Sequence, residues 1–128
     1  MLRATDIRIG NWVRTKQTRQ EFIVSGISKE SIGIIESQWT GITITEEWLD
    51  KTSLVKRQTS SPIIRRYYGH ERDGRFIVSH NEKIGGFWVD WEHSSYGDQV
   101  TLRRFEYVHQ LQNLYHSLTG KELQINES

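Results

Sequence analysis

Short runs of alternating apolar and polar residues recur along the chain about every ten residues, separated by turn-forming residues, the spacing of strands in a sandwich or barrel. The first run is 11–15. In 21–27, Phe22, Val24 and Gly26 share one face and Ile23 and Ile27 the other, as a two-residue period requires. Ser28-Lys29-Glu30-Ser31 reads as a turn into a strand at Ile32-Gly33-Ile34-Ile35. Ile42-Thr43-Ile44 is a further short strand. Thr43 and Glu46 stand at capping-box spacing, so one helical turn is expected over Thr45-Glu46-Glu47-Trp48-Leu49. Three or four short strands beginning at Gly10-Asn11-Trp12-Val13 predict an SH3-like, barrel-type subregion over 1–51, by analogy of pattern.

Residues 52–62 are polar and end in Thr59-Ser60-Ser61-Pro62, a loop between two halves. A β-meander is expected over 62–103. Its strands at 62–68 and 75–80 join through Asp73-Gly74, a tight-turn signal. Residues 81–86 turn again, and the strand 86–92 places Phe87, Val89 and Trp91 on one face with Trp88, Asp90 and Glu92 opposite. A last strand covers 99–103. From Arg104 the period becomes helical: Phe105, Val108, Leu111 (or Gln112), Tyr115 and Leu118 form an apolar stripe that Tyr107 and Leu114 widen. Gly120 suits a left-handed cap, and Lys121 follows the negative end of the dipole. The helix over 104–120 should pack on a sheet, and Leu123-Gln124-Ile125 should add a short edge strand. The expected class is therefore α+β, mostly antiparallel β, in one domain over 1–128.

Composition narrows the function classes. The 128 residues are 35% apolar, with five Trp, five Tyr and four Phe, enough for a core that buries roughly two thirds of the unfolded surface. Cysteine is absent, which removes disulfides, thiolate nucleophiles, iron–sulfur clusters and Cys-based zinc sites. Neither an apolar signal core near Met1 nor a membrane-length apolar run is present, so a cytoplasmic location and no membrane partner are expected. Net charge is only +1, yet basic residues cluster at Arg3–Arg19 and Lys56–Arg75, and acidic ones at Glu30–Asp50. Such segments either neutralise one another in the fold or form opposed basic and acidic faces.

The clearest binding candidate is Arg65-Arg66-Tyr67-Tyr68 on a strand, with Arg72 and Arg75 across the hairpin. Arginine offers planar, permanently charged contacts to phosphate, and a tyrosine face stacks on a base. Alternation puts Arg65 with Tyr67 and Arg66 with Tyr68, so one pair projects outward while the other is covered. Trp88, opposite the Phe87/Val89/Trp91 face, is a second stacking candidate. The bland alternatives are arginine stems lying on tyrosine rings across a sheet, and a tryptophan covered by the helix or by a second subunit.

Other chemistries are less well supplied. His109 and His116 are two helical turns apart, too far to share an ion, and nothing in the spacing of His70, His80 and His93 gathers them. Asp90 and Glu92 share a strand face next to His93, a minimal arrangement for Mg²⁺-assisted phosphodiester cleavage. Gly85-Gly86 is not followed by a helix, so no phosphate-cradling loop is formed, and no serine nucleophile elbow is present. No cofactor, metal or catalytic residue is assigned.

Three blocks carry a resemblance: Arg8-Ile9-Gly10-Asn11-Trp12-Val13, then Ile42-Thr43-Ile44-Thr45-Glu46-Glu47-Trp48-Leu49, and finally 107–115 with Leu118-Thr119-Gly120-Lys121-Glu122-Leu123. Together they resemble a group of small uncharacterised proteins encoded by phages and prophages of Bacteroides-type bacteria. The resemblance implies a phage-borne accessory protein acting in the host cytoplasm. It carries over no activity and no site residue. The expected function is a non-enzymatic binding module for nucleic acid. Two alternatives are a host-interaction or anti-defence protein that sequesters a host protein or nucleotide signal, with a homo-oligomer as one form, and a metal-dependent phosphodiesterase.

Overall fold

The N-terminal third folds around a three-stranded antiparallel sheet of β1 (Trp12–Thr15), β2 (Glu21–Ile23) and β3 (Trp39–Gly41), in the order β2-β1-β3. This computed structural model describes residues 2–70, 74–93 and 99–126, with only the backbone of His70. Val13 pairs with both Phe22 and Gly41 and is fully buried with Leu2, Ile7, Val24 and Ile35. Phe22 and Trp39 close this cluster edge to face, 4.9 Å between ring centres.

The barrel expected over 1–51 does not form, because this sheet does not close. The segment expected to supply a further strand, Ile32–Ile35, lies instead in helix α1 (Ser31–Gln38). Its β-branched run favours a strand locally, but only Ile35 is buried, while Ile32 and Ile34 are exposed. Long-range packing of one isoleucine into the small cluster, with Glu36 accepting the Ala4 N–H at 3.2 Å, outweighs the weak local preference.

The second sheet has five antiparallel strands in chain order: β4 (Val55–Arg57), β5 (Ile64–His70), β6 (Gly74–Asn81), β7 (Gly86–His93) and β8 (Gln99–Phe105). The meander is as expected, with one strand added: β4 lies in the segment read as a loop. Helix α2 (Glu46–Asp50) starts at Thr45, whose hydroxyl accepts the Trp48 N–H at 3.2 Å. Thr43, read as the cap, instead bridges to Tyr107. Helix α3 spans Val108–Thr119 and ends at Gly120 with φ of 75°, the left-handed geometry glycine adopts without strain. It starts later than its stripe suggests because Phe105 is still in β8, paired with Phe87. The expected edge strand at 123–125 is reduced to a single bridge between Ile125 and Thr52.

The main core lies between one face of the five-stranded sheet and helices α2 and α3. The sheet contributes Tyr67, Phe76, Val78, Val89 and Phe105; the helices contribute Trp48, Leu49, Val108, Leu111 and Tyr115. Phe87 and Trp91 pack against the same cluster, so the inward face read for β7 is the observed one. No helix among the described residues is long and apolar enough to cross a membrane.

A polar clasp joins the two halves. Gln112, buried in α3, accepts the Trp12 N–H at 2.8 Å and donates to the Gly10 carbonyl at 2.9 Å. Asn113 accepts from Asn11 Nδ2 at 2.9 Å and from Arg8 Nε at 3.1 Å, and Arg8 also pairs with Glu122. Gly41 lies so close under the helix start that a Cβ there would meet the Tyr107 ring at 2.8 Å and His109 at 2.9 Å. Replacing Gln112 with Ala leaves the Gly10 and Trp12 backbone groups without partners. We expect a loss of about 2–3 kcal/mol, read from urea denaturation; an unchanged midpoint would show that the amide does not hold the halves together.

Candidate functional site

The five-stranded sheet has two faces of different character, and β5 divides the expected binding residues between them. Arg65 and Tyr67 point to the helix side. Tyr67 is fully buried in the core, and its hydroxyl donates to Asp50 Oδ1 at 3.1 Å. It is therefore a structural residue rather than a stacking platform. Burial, followed by the charge and hydrogen bond of Asp50, pushes its phenol well above the usual tyrosine range. Arg65 is held at the rim by Glu82 at 3.2 Å, Glu46 at 3.8 Å and the Pro62 carbonyl at 3.0 Å. Glu46 also meets Lys56 at 3.8 Å and His80 Nε2 at 3.5 Å. A guanidinium with two carboxylates has little charge left to offer a ligand, so Arg65 leaves the candidate set with Tyr67.

Arg66 and Tyr68 face the other way, and the strand register extends them into rows. One row runs Arg57, Arg66, Ser79, Trp88, Arg104 across β4 to β8. The next runs Val55, Tyr68, Ile77, Asp90, Thr101, and a third includes Arg75, Glu92 and Gln99. With neighbouring strands about 4.8 Å apart, each full row measures roughly 19 Å. Arg57 and Arg75 lie over the Tyr68 ring at 5.5 and 5.6 Å, and Arg104 over the Trp88 ring at 5.6 Å, cation–π distances. Among the described residues four arginines thus face two acids, Asp90 and Glu92, and only Arg75 has a carboxylate partner, Glu92 at 2.9 Å. Arg72 falls outside the described residues. Of the expected set, the structure gathers Arg66, Tyr68, Arg75 and Trp88 on one face.

Between these rows sits a hollow of about 280 Å³, lined among others by Arg66, Ser79, Trp88, Asp90, Gln99 and Thr101, with no helix residue in its wall. Asp90 is only 4% exposed. Its Oδ2 accepts from Ser79 Oγ at 2.9 Å and Gln99 Nε2 at 3.0 Å, while Oδ1 has no partner among the described residues. The Nε of Arg66 is likewise buried without a partner among them. Buried polar atoms are nearly always bonded, so Asp90 and Arg66 are the least satisfied polar residues of this hollow, although the two atoms themselves are closed to solvent.

Arg57 and Arg104 were not singled out from the sequence, since one lay in a presumed loop and the other at a presumed helix start. No alternation signalled Arg104, because an extra residue in β8 opposite Val89/Asp90 breaks the two-residue period between Thr101 and Arg104. The Asp90/Glu92 pair does share a face, but Asp90 is held by Ser79 and Gln99 and Glu92 by Arg75. Among the described residues no three His, Asp or Glu groups converge as a metal site. His109 is buried and stacked on Tyr107, and desolvation lowers its pKa despite the opposing charge of Asp6. Roomier hollows lie beside 56–65, about 720 Å³, and between Arg3, Arg103 and His109, about 410 Å³. The first contains the engaged Arg65, and the second offsets its arginines with Asp6.

The Tyr67 assignment has a pH signature. The unfolded phenol ionises near pH 10 while the folded one stays protonated. The native state therefore holds the extra proton there, and stability should fall as pH rises above about 10. We expect Tyr67→Phe to flatten that alkaline limb in denaturation measured from pH 9 to 11; an unaltered slope would contradict the buried role. No protein-family model, curated protein or solved structure matches the chain.

Proposed function

We propose that the protein binds single-stranded nucleic acid across the helix-free face of its five-stranded sheet. The observation that supports this reading most is the coincidence of two aromatic rings, Tyr68 and Trp88, with four arginines on one sheet face, each ring already holding a guanidinium. Unstacked bases lie well on aromatic side chains projecting from a sheet, as in other single-strand binders, and arginine engages the backbone between them. A flat face suits a flexible strand better than a duplex, whose grooves need a protruding helix or ribbon.

Binding here involves an exchange of partners. The guanidinium groups over Tyr68 and Trp88 swing to phosphates, and bases take their places on the rings. Both states satisfy ring and cation, so the unliganded face is stable without being closed. Binding is favoured over catalysis because Glu92 is paired with Arg75 and Asp90 is anchored through one oxygen by Ser79 and Gln99. On the resemblance of its three blocks, we also assign the protein to phage or prophage accessory proteins working in the host cytoplasm.

Anisotropy of labelled ten-nucleotide DNA and RNA tests the reading. Three phosphate contacts, from Arg57, Arg66 and Arg104, predict a fall in affinity of roughly 20-fold between 50 and 200 mM salt. Trp88→Ala should weaken binding by roughly fivefold or more. Duplex binding as tight as single-strand binding, or no binding of either at low salt, would overturn the proposal.

A further inference from the structure

We infer that the cleft between the N-terminal turn, α3 and the edge strand β8 binds a phosphorylated sugar, with Arg3 and Arg103 holding the phosphate. The cleft lies on the helix side of the five-stranded sheet, so the inference stands apart from the single-strand reading above.

Its walls come from both halves of the molecule. The 3₁₀ turn Ala4–Asp6 and the residue before it supply Arg3, Thr5 and Asp6, while the larger half supplies Arg103 and one side of α3, including Gln110 and Ser117. Arg103 stands opposite Val89, a member of the main core, and therefore projects toward the helix rather than the open face. Asn113 Nδ2 donates to the Asp6 carbonyl at 3.0 Å, which fixes the turn against the helix before any ligand arrives. The hollow measures about 410 Å³, within the range of small-molecule sites, which favour such junctions.

The groups that line it are reachable and uncommitted. Arg3, Thr5, Asp6, Arg103 and Ser117 are all exposed. Neither guanidinium has a carboxylate partner among the described residues. Two arginine charges against the one carboxylate of Asp6 leave a positive excess, and His109 adds nothing to it because burial disfavours its charged form. Forked donors on separate walls suit a phosphate monoester, whose three terminal oxygens accept more bonds than the two of a carboxylate. Gln110 Oε1 already accepts the N–H groups of Glu106 and Tyr107 at 2.8 and 3.0 Å, so the amide is fixed with its amino group left to donate. Asp6 shapes the choice of ligand. Its Oδ2 accepts the Arg3 N–H at 3.3 Å, and its other oxygen remains to accept. A carboxylate beside a phosphate site repels a bare anion and favours an ester that brings hydroxyl groups, as acidic residues do toward ribose in dinucleotide sites.

Calorimetric titration of the full chain at low salt tests the site, with ribose 5-phosphate, adenosine monophosphate, inorganic phosphate and ribose as probes. Ribose 5-phosphate should bind roughly fivefold or more tighter than inorganic phosphate, and ribose should give no heat. Arg3→Gln and Arg103→Gln should each weaken the ester roughly tenfold, whereas Lys83→Gln, which removes an exposed charge from the turn after β6, should not. Asp6→Asn has a single side-chain oxygen, already engaged by the Arg3 N–H, and should lose most of the preference for ester over inorganic phosphate. If Arg3→Gln disturbs the turn, Arg103→Gln carries the test alone. Adenosine monophosphate binding tighter than ribose 5-phosphate would assign a nucleotide, and equal affinity a sugar phosphate. The inference is overturned by an affinity for the ester that Arg103→Gln does not change, by inorganic phosphate binding as tightly as the ester, or by no binding of any phosphate.

Discussion

The amide of Gln112 takes the place that another strand would occupy beside residues 10–12: one of its atoms receives the Trp12 N–H and the other supplies a donor to the Gly10 carbonyl. Each sheet has its own apolar cluster, and the N-terminal one is small, with five buried members. A cluster of that size gives a weak independent core. The halves become one body because a helix of the larger half completes the backbone hydrogen bonding of the smaller. Asn113 and the Arg8–Glu122 pair extend the joint, and the β3 backbone approaches the helix start because Gly41 carries no side chain.

That joint also determines which face of the five-stranded sheet is covered. Helix α3 is tied to the N-terminal sheet on one flank and lies over Phe76, Val78 and Val89 on the other. Among the described residues no helix covers the reverse face. There, arginine stems and aromatic rings shield one another, and Ile77 is fully buried beneath them. The bulge between Val89 and Asp90 matters in the same place. It adds a residue to β8, so that Arg104 meets Trp88 while Thr101 and Gln99 stay beside Asp90 and Glu92. A bulged strand also makes a poorer template for edge-to-edge association.

How much of this was legible depends on the range of the forces involved. The inward set Phe87, Val89 and Trp91 was readable because a strand buried on one face repeats every two residues. The splitting of Arg65-Arg66-Tyr67-Tyr68 into two pairs was equally readable, but which pair faces outward was not, since that is decided by Asp50 in a different element receiving the Tyr67 hydroxyl. Ile32–Ile35 misled because its side chains prefer strands locally, whereas its environment offered room for Ile35 alone. Leu111 and Gln112 stood as alternatives on the helix stripe, and both are buried: one by apolar contact, the other by bonds to residues a hundred positions away. The orphaned oxygen of Asp90 had no signature in the sequence, because it is defined by what Ser79 and Gln99 leave unused.

The clasp has a consequence for how the chain is made. Its partners are separated by 100 residues between Trp12 and Gln112 and by 114 between Arg8 and Glu122. On a ribosome, the first sheet emerges long before the helix that completes it, and its backbone groups at Gly10 and Trp12 stay wet until translation has passed residue 112. A nascent protein of this design gains its final cohesion late, in a single docking event, rather than element by element as it leaves the exit tunnel.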